Sequence, residues 1–153
     1  MDEVDIVTPY VTELLKIQQS TGSIMHALKS SSKGYCGFGE AYFSTVNFHK
    51  TKGWKLHRKM TLNIIVPYGD IRFIVHDGKL RNEKALIEPL IDVVLGDSNY
   101  SRLTVPPGYW VAFRGVGENI NILMNVANIQ HDPDEAVNRD LNNFYVKGCE
   151  SFE

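Results

Sequence analysis

The sequence predicts an all-β fold, an antiparallel sandwich or barrel, with a short helical flank at its amino terminus. Three observations predict it. From residue 37 onward the chain is a series of short apolar and β-branched runs, closely punctuated by Gly, Asp and Pro. Helical spacing of apolar residues is confined to the first 20 or so positions, which argues against alternating strands and helices around a parallel sheet. Finally, 153 residues with 43% hydrophobic content suffice for one real core, so the expectation is a single domain over 1–153, with a flank over 1–30, a barrel over 37–130 and a tail over 131–153.

Each element follows from local chemistry. Pro9 to Gln19 places Val11, Leu14, Leu15 and Ile17 at spacings that suit a short amphipathic helix, with Thr8 as N-cap and Pro9 at the first helical position. The polar stretch Ser30 to Gly34 then separates this flank from the β-rich region. The predicted strands are Gly37 to Phe48, Met60 to Pro67, Ile71 to His76, Ile91 to Leu95, Tyr100 to Val105, Tyr109 to Arg114 and Ile120 to Ile129. Tyr68-Gly69-Asp70 and Asp77-Gly78 read as turns, because Gly supplies the positive φ that hairpin turns require. Val105-Pro106-Pro107-Gly108 is a rigid turn, residues 79–90 a polar surface loop, and His131 to Ala136 a helical turn where the chain leaves the barrel.

Composition removes several classes of function. Sixteen Lys and Arg oppose eighteen Asp and Glu, giving a net charge of −2, so the whole molecule exerts no pull toward nucleic acid or an anionic membrane. Cys36 and Cys149 stand far apart without a CxxC, as expected of two free thiols in a reducing cytoplasm. The acidic start, Met1 to Asp5, lacks the basic and apolar regions of a signal peptide, and no apolar run approaches the roughly 20 residues that cross a bilayer. A cytoplasmic location is the expectation.

Five histidines invite a search for a metal site, but none forms the alternate-residue pair by which a barrel strand offers two ligands to one ion. Phosphate loops, nucleophile elbows and HExxH helices are absent as well. What stands out is Lys50 to Lys59, which packs four lysines, an arginine, a histidine and Trp54 into ten residues. If this segment is a strand, Lys55 and His57 face one side, Trp54 and Leu56 the other. A basic pocket of that kind suits a diphosphate.

Phe38 to Ser44, Lys52-Gly53-Trp54-Lys55-Leu56-His57, Tyr68-Gly69-Asp70-Ile71 and Val105-Pro106-Pro107-Gly108-Tyr109 together resemble the dTDP-4-dehydrorhamnose 3,5-epimerase family of sugar-nucleotide cupins. The resemblance spans roughly residues 22–140 and is closest to a short, divergent branch with the Gly-Trp-Lys-x-His-x-x-Met-Thr-x-Asn pattern of Gly53 to Asn63. It implies a cupin-type jelly roll, a homodimer, no cofactor or metal, and a nucleotide-diphosphate sugar as ligand. The implied chemistry is epimerisation of a 4-keto-6-deoxy sugar in deoxysugar or cell-surface polysaccharide synthesis. Alternatives are a 3,4-ketoisomerase, or a cupin that binds a sugar nucleotide or carbohydrate without catalysis.

Carried over without gaps, the family's Arg-Gly-Leu-His-x-Gln segment puts Lys52 at the Arg, Lys55 at the catalytic His and His57 at the Gln; a shift of two positions, which requires an insertion before Gly53, puts His57 at the catalytic His instead. Val111 falls at a phosphate-contacting His, Met124 at the proton-donating Tyr, and Phe73 at a buried Asp. The chain stops at Glu153, before the segment that gives the His an Asp partner in longer members. A base on one face and an acid on the other are still needed for inversion beside a ketone. Lys55 with His57 is the expected reaction centre, a buried lysine crowded by cations being able to act as a base. Lys52 and Arg58 are expected on the diphosphate, with Glu40, Asn63 and Tyr109 as further contacts. Tyr109, Tyr42 or water remain as proton donors, since Met124 cannot donate.

Overall fold

The computed structural model describes residues 7–149 except 82 and 84; the acidic start Met1 to Asp5 and the final Glu153 lie outside the described residues. Among the described residues twelve strands carry the fold: β1 Tyr10–Glu13, β2 Lys16–Gln19, β3 Gly22–Met25, β4 Glu40–Thr45, β5 Thr51–His57, β6 Leu62–Tyr68, β7 Asp70–His76, β8 Ile91–Gly96, β9 Ser101–Val105, β10 Trp110–Gly115, β11 Ile122–Ala127 and β12 Ala136–Asn138. Two five-stranded sheets result, one ordered β1-β9-β6-β11-β4 and the other β12-β5-β10-β7-β8, with β2-β3 as a separate hairpin. Every pairing within these sheets is antiparallel, as the short runs and tight turns predict.

The amino-terminal helix is not formed. Tyr10 to Glu13 instead pairs with Ser101 to Thr104, Lys16 to Gln19 pairs with Gly22 to Met25, and Val11 packs against the main core. An isolated helix of eleven residues is marginal in water. An open edge on β9 offers the same backbone groups a full set of cross-strand bonds, and Tyr10, Val11, Thr12 and Ile17 are all strand-favouring residues. The stretch that follows is held against β9: Arg102 donates to the carbonyls of Ala27 and Lys33 at 2.7 and 3.0 Å, and Tyr100 to that of His26 at 2.9 Å.

Two further readings change. Lys50 to Lys59 is absent from the strands the sequence predicts, yet Thr51 to His57 forms β5, flanked by β10 and β12. Residues 79–90 are not wholly a surface loop either: Ile87 is 3% exposed and bridges to Val146. The turn predicted after His131 is present as a 3-10 turn over Pro133–Glu135, with the Asp132 side chain accepting from the Asp134 N–H at 2.9 Å.

The main core lies between the sheets and includes Val46, Leu62, Ile64, Phe73, Val75, Leu103, Val105 and Leu123. A second core covers the outer face of the β5-β10-β7 sheet, where Trp54, Ile74 and Ala112 meet Ile87, Leu141, Phe144 and Val146. Beside it sits His76, fully buried, its ring edge-on to Trp54 at 4.6 Å and Phe144 at 4.7 Å. Its Nδ1 accepts the Gly78 N–H at 2.9 Å, so the proton of the neutral ring resides on Nε2, which has no hydrogen-bond partner.

Burial lowers the His76 pKa to about 4, outweighing the opposing pull of Asp77. A histidine held neutral in the fold and free to charge once unfolded destabilises the protein as pH falls from its unfolded value of 6.5 through about 4. Urea unfolding should therefore show a loss of about 2 kcal/mol between pH 7 and pH 5 from this group. The same comparison should be nearly flat in His76→Gln. Equal pH dependence in both proteins would rule the effect out.

Candidate functional site

A cavity of about 600 Å³ opens between the two sheets. Its floor is apolar, formed by Leu62, Ile64, Val111, Phe113 and Leu123. Tyr42, Ser44 and Asn125 stand on one wall, from β4 and β11. Lys52, Lys55 and His57 stand on the other, from β5. Asn138 at the end of β12, with Arg139, Asp140 and Asn143 from the segment that follows it, completes the rim.

The β5 wall owes its charge to one irregularity. Lys55 pairs with Val111 and Lys52 with Phe113, so two residues of β5 oppose the single Ala112 of β10. Such a bulge turns two side chains three positions apart to the same side, and both lysines line the cavity. Gly53 makes the bulge possible: its φ is +137°, and a Cβ there would come within 2.6 Å of the Ala112 Cβ. Beyond the bulge, alternation is regular, as expected. Lys55 and His57 face the cavity, while Trp54, 1% exposed, serves the outer core.

His57 has a partner that the sequence did not announce. Its Nδ1 meets the Glu135 Oε1 in a short contact. The other carboxylate oxygen accepts the backbone N–H groups of Arg58, Lys59 and Met60 at 3.0, 2.9 and 3.2 Å. Burial by itself would raise the Glu135 pKa, but the His57 hydrogen bond and charge together with the Lys59 and Met60 amides lower it overall. The carboxylate therefore stays ionised, takes the Nδ1 proton in a hydrogen bond and leaves the lone pair of Nε2 for the cavity. A carboxylate from beyond the barrel thus supports the cavity histidine within the described residues, although the resemblance led to the expectation that the chain stops too soon to supply one.

The lining side chains include three cations, Lys52, Lys55 and Arg139, against the single carboxylate of Asp140. Lys52 donates to the Ser44 hydroxyl at 3.1 Å and the Thr45 carbonyl at 2.6 Å, which pins it across the gap between the sheets with one N–H left over. The Lys55 ammonium has no hydrogen-bond or ion-pair partner among the described residues. Arg139 rests over the Trp110 ring at 5.7 Å.

Four sequence-predicted contacts do not line this cavity. Asn63 alternates with the cavity residues Leu62 and Ile64 and is spent on the far side, donating to the Gly34 carbonyl at 3.0 Å and accepting from Thr104 at 2.7 Å. Arg58 lies just past β5, exposed, its backbone N–H committed to Glu135. Glu40 begins β4 opposite Ala127, beyond the cavity-lining part of that strand. Tyr109 packs on the main core and donates to the Val7 carbonyl at 3.2 Å. Met124 is also turned away, since its neighbours Leu123 and Asn125 face inward. Glu135, Arg139 and Asn125 are the residues that sequence reasoning missed. Only the helical turn at His131 to Ala136 hinted at the first.

No protein-family model and no curated protein matches the chain. Solved structures do. A dTDP sugar isomerase from Desulfovibrio desulfuricans G20 is 30% identical, with a TM-score of 0.78 over 88% of this chain and 85% of that one. A dTDP-6-deoxy-D-glucose-3,5-epimerase from Legionella pneumophila, in complex with dTDP-4-keto-L-rhamnose, superposes with a TM-score of 0.73 at 13% identity, over 90% of this chain and 76% of that one. A sugar 3,4-ketoisomerase from Thermoanaerobacterium thermosaccharolyticum, in complex with TDP, gives 0.69 at 17% identity, over 90% and 91%. The jelly roll, the motif order along β4 to β10 and the 30% identity over most of both chains agree: this chain belongs to the dTDP-4-dehydrorhamnose 3,5-epimerase-like family of sugar-nucleotide cupins.

Proposed function

We propose that the protein is an isomerase acting on a nucleotide-linked 4-keto-6-deoxy sugar, removing the proton from a carbon next to the ketone. The observation that carries this reading is the His57–Glu135 pair, opening on a cationic cavity with an apolar floor. A carboxylate-oriented imidazole is a general base at neutral pH, and it needs only the acidic C–H of a ketone to act on. Lys55, two positions along the same face and so about 7 Å away along the strand, supplies positive charge where the enolate oxygen develops. Lys52 on the β5 wall and Arg139 at the rim take the diphosphate.

The assignment of the base thus moves from Lys55 to His57. Both belong to the reaction centre, in different roles. The similarity to a 3,4-ketoisomerase favours a second outcome from the same base: return of the proton to the former carbonyl carbon, with the hydrogen of the adjacent hydroxyl passing to the old ketone oxygen, moves the ketone instead of inverting a centre. The same reading takes the protein to be cytoplasmic and in deoxysugar or cell-surface polysaccharide synthesis. It also takes it to be a homodimer, which the exposed Phe38 and Phe43 beside the open β4 edge support. Among the described residues no helix is long and apolar enough to cross a membrane.

Incubation with dTDP-4-keto-6-deoxyglucose in D2O tests the reading. Deuterium should enter at C3 or C5 if a centre is inverted and at C4 if the ketone migrates, and NMR of the product separates the two. Calorimetric binding of the sugar nucleotide without any exchange would leave a binding protein and remove the isomerase.

A further inference from the structure

Of the three cations that line the cavity, two are engaged and one is not. Lys52 spends two donors on the Ser44 hydroxyl and the Thr45 carbonyl. Arg139 donates to the Asn138 carbonyl at 2.9 Å, and its guanidinium rests over the Trp110 ring. The Lys55 ammonium has no such partner among the described residues, and the strand register gives the reason: Lys55 stands between Val111 of β10 and Asn138 of β12, neither of which offers a carboxylate. The side chain is half-buried and shares the cavity with the apolar floor of Leu62, Val111 and Phe113. A lysine left without a counter-ion on a flexible four-carbon stem is free to reach the ligand. Beside other cations and apolar surface, such an amine is placed as nucleophilic lysines are placed toward carbonyl carbons.

We propose that Lys55 forms a covalent iminium with the ketone carbon of the sugar, so that His57 removes its proton from a carbon next to C=N rather than next to C=O. This rests on the isomerase reading above and adds a bond where that reading has a charge. The step balances as follows. The Lys55 ammonium passes one proton to His57 Nε2, and its nitrogen adds to the carbonyl carbon; the C=O π pair goes to oxygen, which takes a second proton from that nitrogen. His57 returns its proton to the resulting hydroxyl, the C–O bond breaks, and water leaves as the nitrogen lone pair forms the C=N bond. Ketone and ammonium have become an iminium and one water, and His57 is neutral again. It then takes the proton from the adjacent carbon, the C–H pair becomes the C=C bond of an enamine, and the C=N π pair returns to nitrogen. Protonation at carbon restores the iminium, and hydrolysis releases product and Lys55. One histidine serves both transfers because Glu135 holds its Nδ1 and leaves Nε2 to the cavity, about 7 Å along the strand from Lys55, a gap that a lysine stem spans.

Reduction in place tests the bond. Wild-type protein incubated with dTDP-4-keto-6-deoxyglucose and sodium cyanoborohydride should gain the mass of the sugar nucleotide less its ketone oxygen, as a secondary amine. Peptide mapping should place that mass on Lys55 above every other lysine. Lys55→Arg keeps a cation but cannot form the iminium under these conditions. Its deuterium exchange should fall by about 100-fold, as far as that of Lys55→Met, with the melting temperature unchanged because the side chain is only half-buried. Exchange by Lys55→Arg within about threefold of the wild-type rate would overturn the proposal, since a charge would then suffice. Exchange by the wild-type protein with no adduct on Lys55 would overturn it too, and that outcome leaves the isomerase reading intact. An adduct on Lys55 without exchange does the reverse, removing the isomerase reading and keeping the covalent bond. Neither adduct nor exchange removes both.

Discussion

His57→Asn should lower deuterium exchange into a 4-keto nucleotide sugar by about three orders of magnitude, the range expected for loss of a general base. Asn keeps a donor for Glu135, so the carboxylate that also binds the Arg58, Lys59 and Met60 amides is not stranded and the fold is retained. Lys55→Met should behave differently. If Lys55 steadies the enolate, its loss slows exchange by about 100-fold and leaves it measurable. Single-turnover exchange followed by NMR distinguishes the two, with a melting curve for each variant. Should His57→Asn exchange at the wild-type rate while Lys55→Met does not, the lysine is the base and His57 is a wall residue.

The second large effect is on stability, at Trp54. Its side chain fills the outer core against Ile74 and Ala112, lies edge-on to His76 and Phe144, and donates from Nε1 to the Leu141 carbonyl at 3.2 Å. The main chain of Trp54 is tied to the same segment, exchanging hydrogen bonds of 2.9 and 3.0 Å with Arg139. Trp54→Ala should therefore cost about 3–5 kcal/mol in urea unfolding, the usual range for deleting a buried indole. Because the segment it holds carries Asn138, Arg139, Asp140 and Asn143 of the cavity rim, the variant should also bind nucleoside diphosphate more weakly. Trp54→Phe keeps most of the buried area and loses one hydrogen bond, about 1 kcal/mol. A loss under 1 kcal/mol in the alanine variant would mean that the 136–146 segment is held by other contacts.

The sequence by itself determined seven of the sandwich strands, β4 and β6 to β11, and, once Thr51 to His57 is a strand, the two faces of β5. These are local properties: alternation over six or seven residues, glycine at positive φ and proline at turns act within a few bonds of the residues that carry them. That is why Lys55 and His57 are legible as neighbours on one face, and Trp54 as their opposite. Local pattern misled at Pro9 to Gln19, where apolar spacing suited a helix and the open edge of β9 imposed strand pairing instead.

Tertiary structure alone decided what the facing residues can do. Glu135 reaches His57 across 78 positions of sequence, and Tyr42 meets Asn125 across 83. Both contacts depend on which strands the topology brings together, not on any spacing along the chain. The bulge at Gly53 decided that Lys52 shares a wall with Lys55, and strand alternation removed Asn63 from the cavity. A periodic sequence sets which side chains share a face. The register and order of the sheets set which face lies opposite, and a proton transfer requires both.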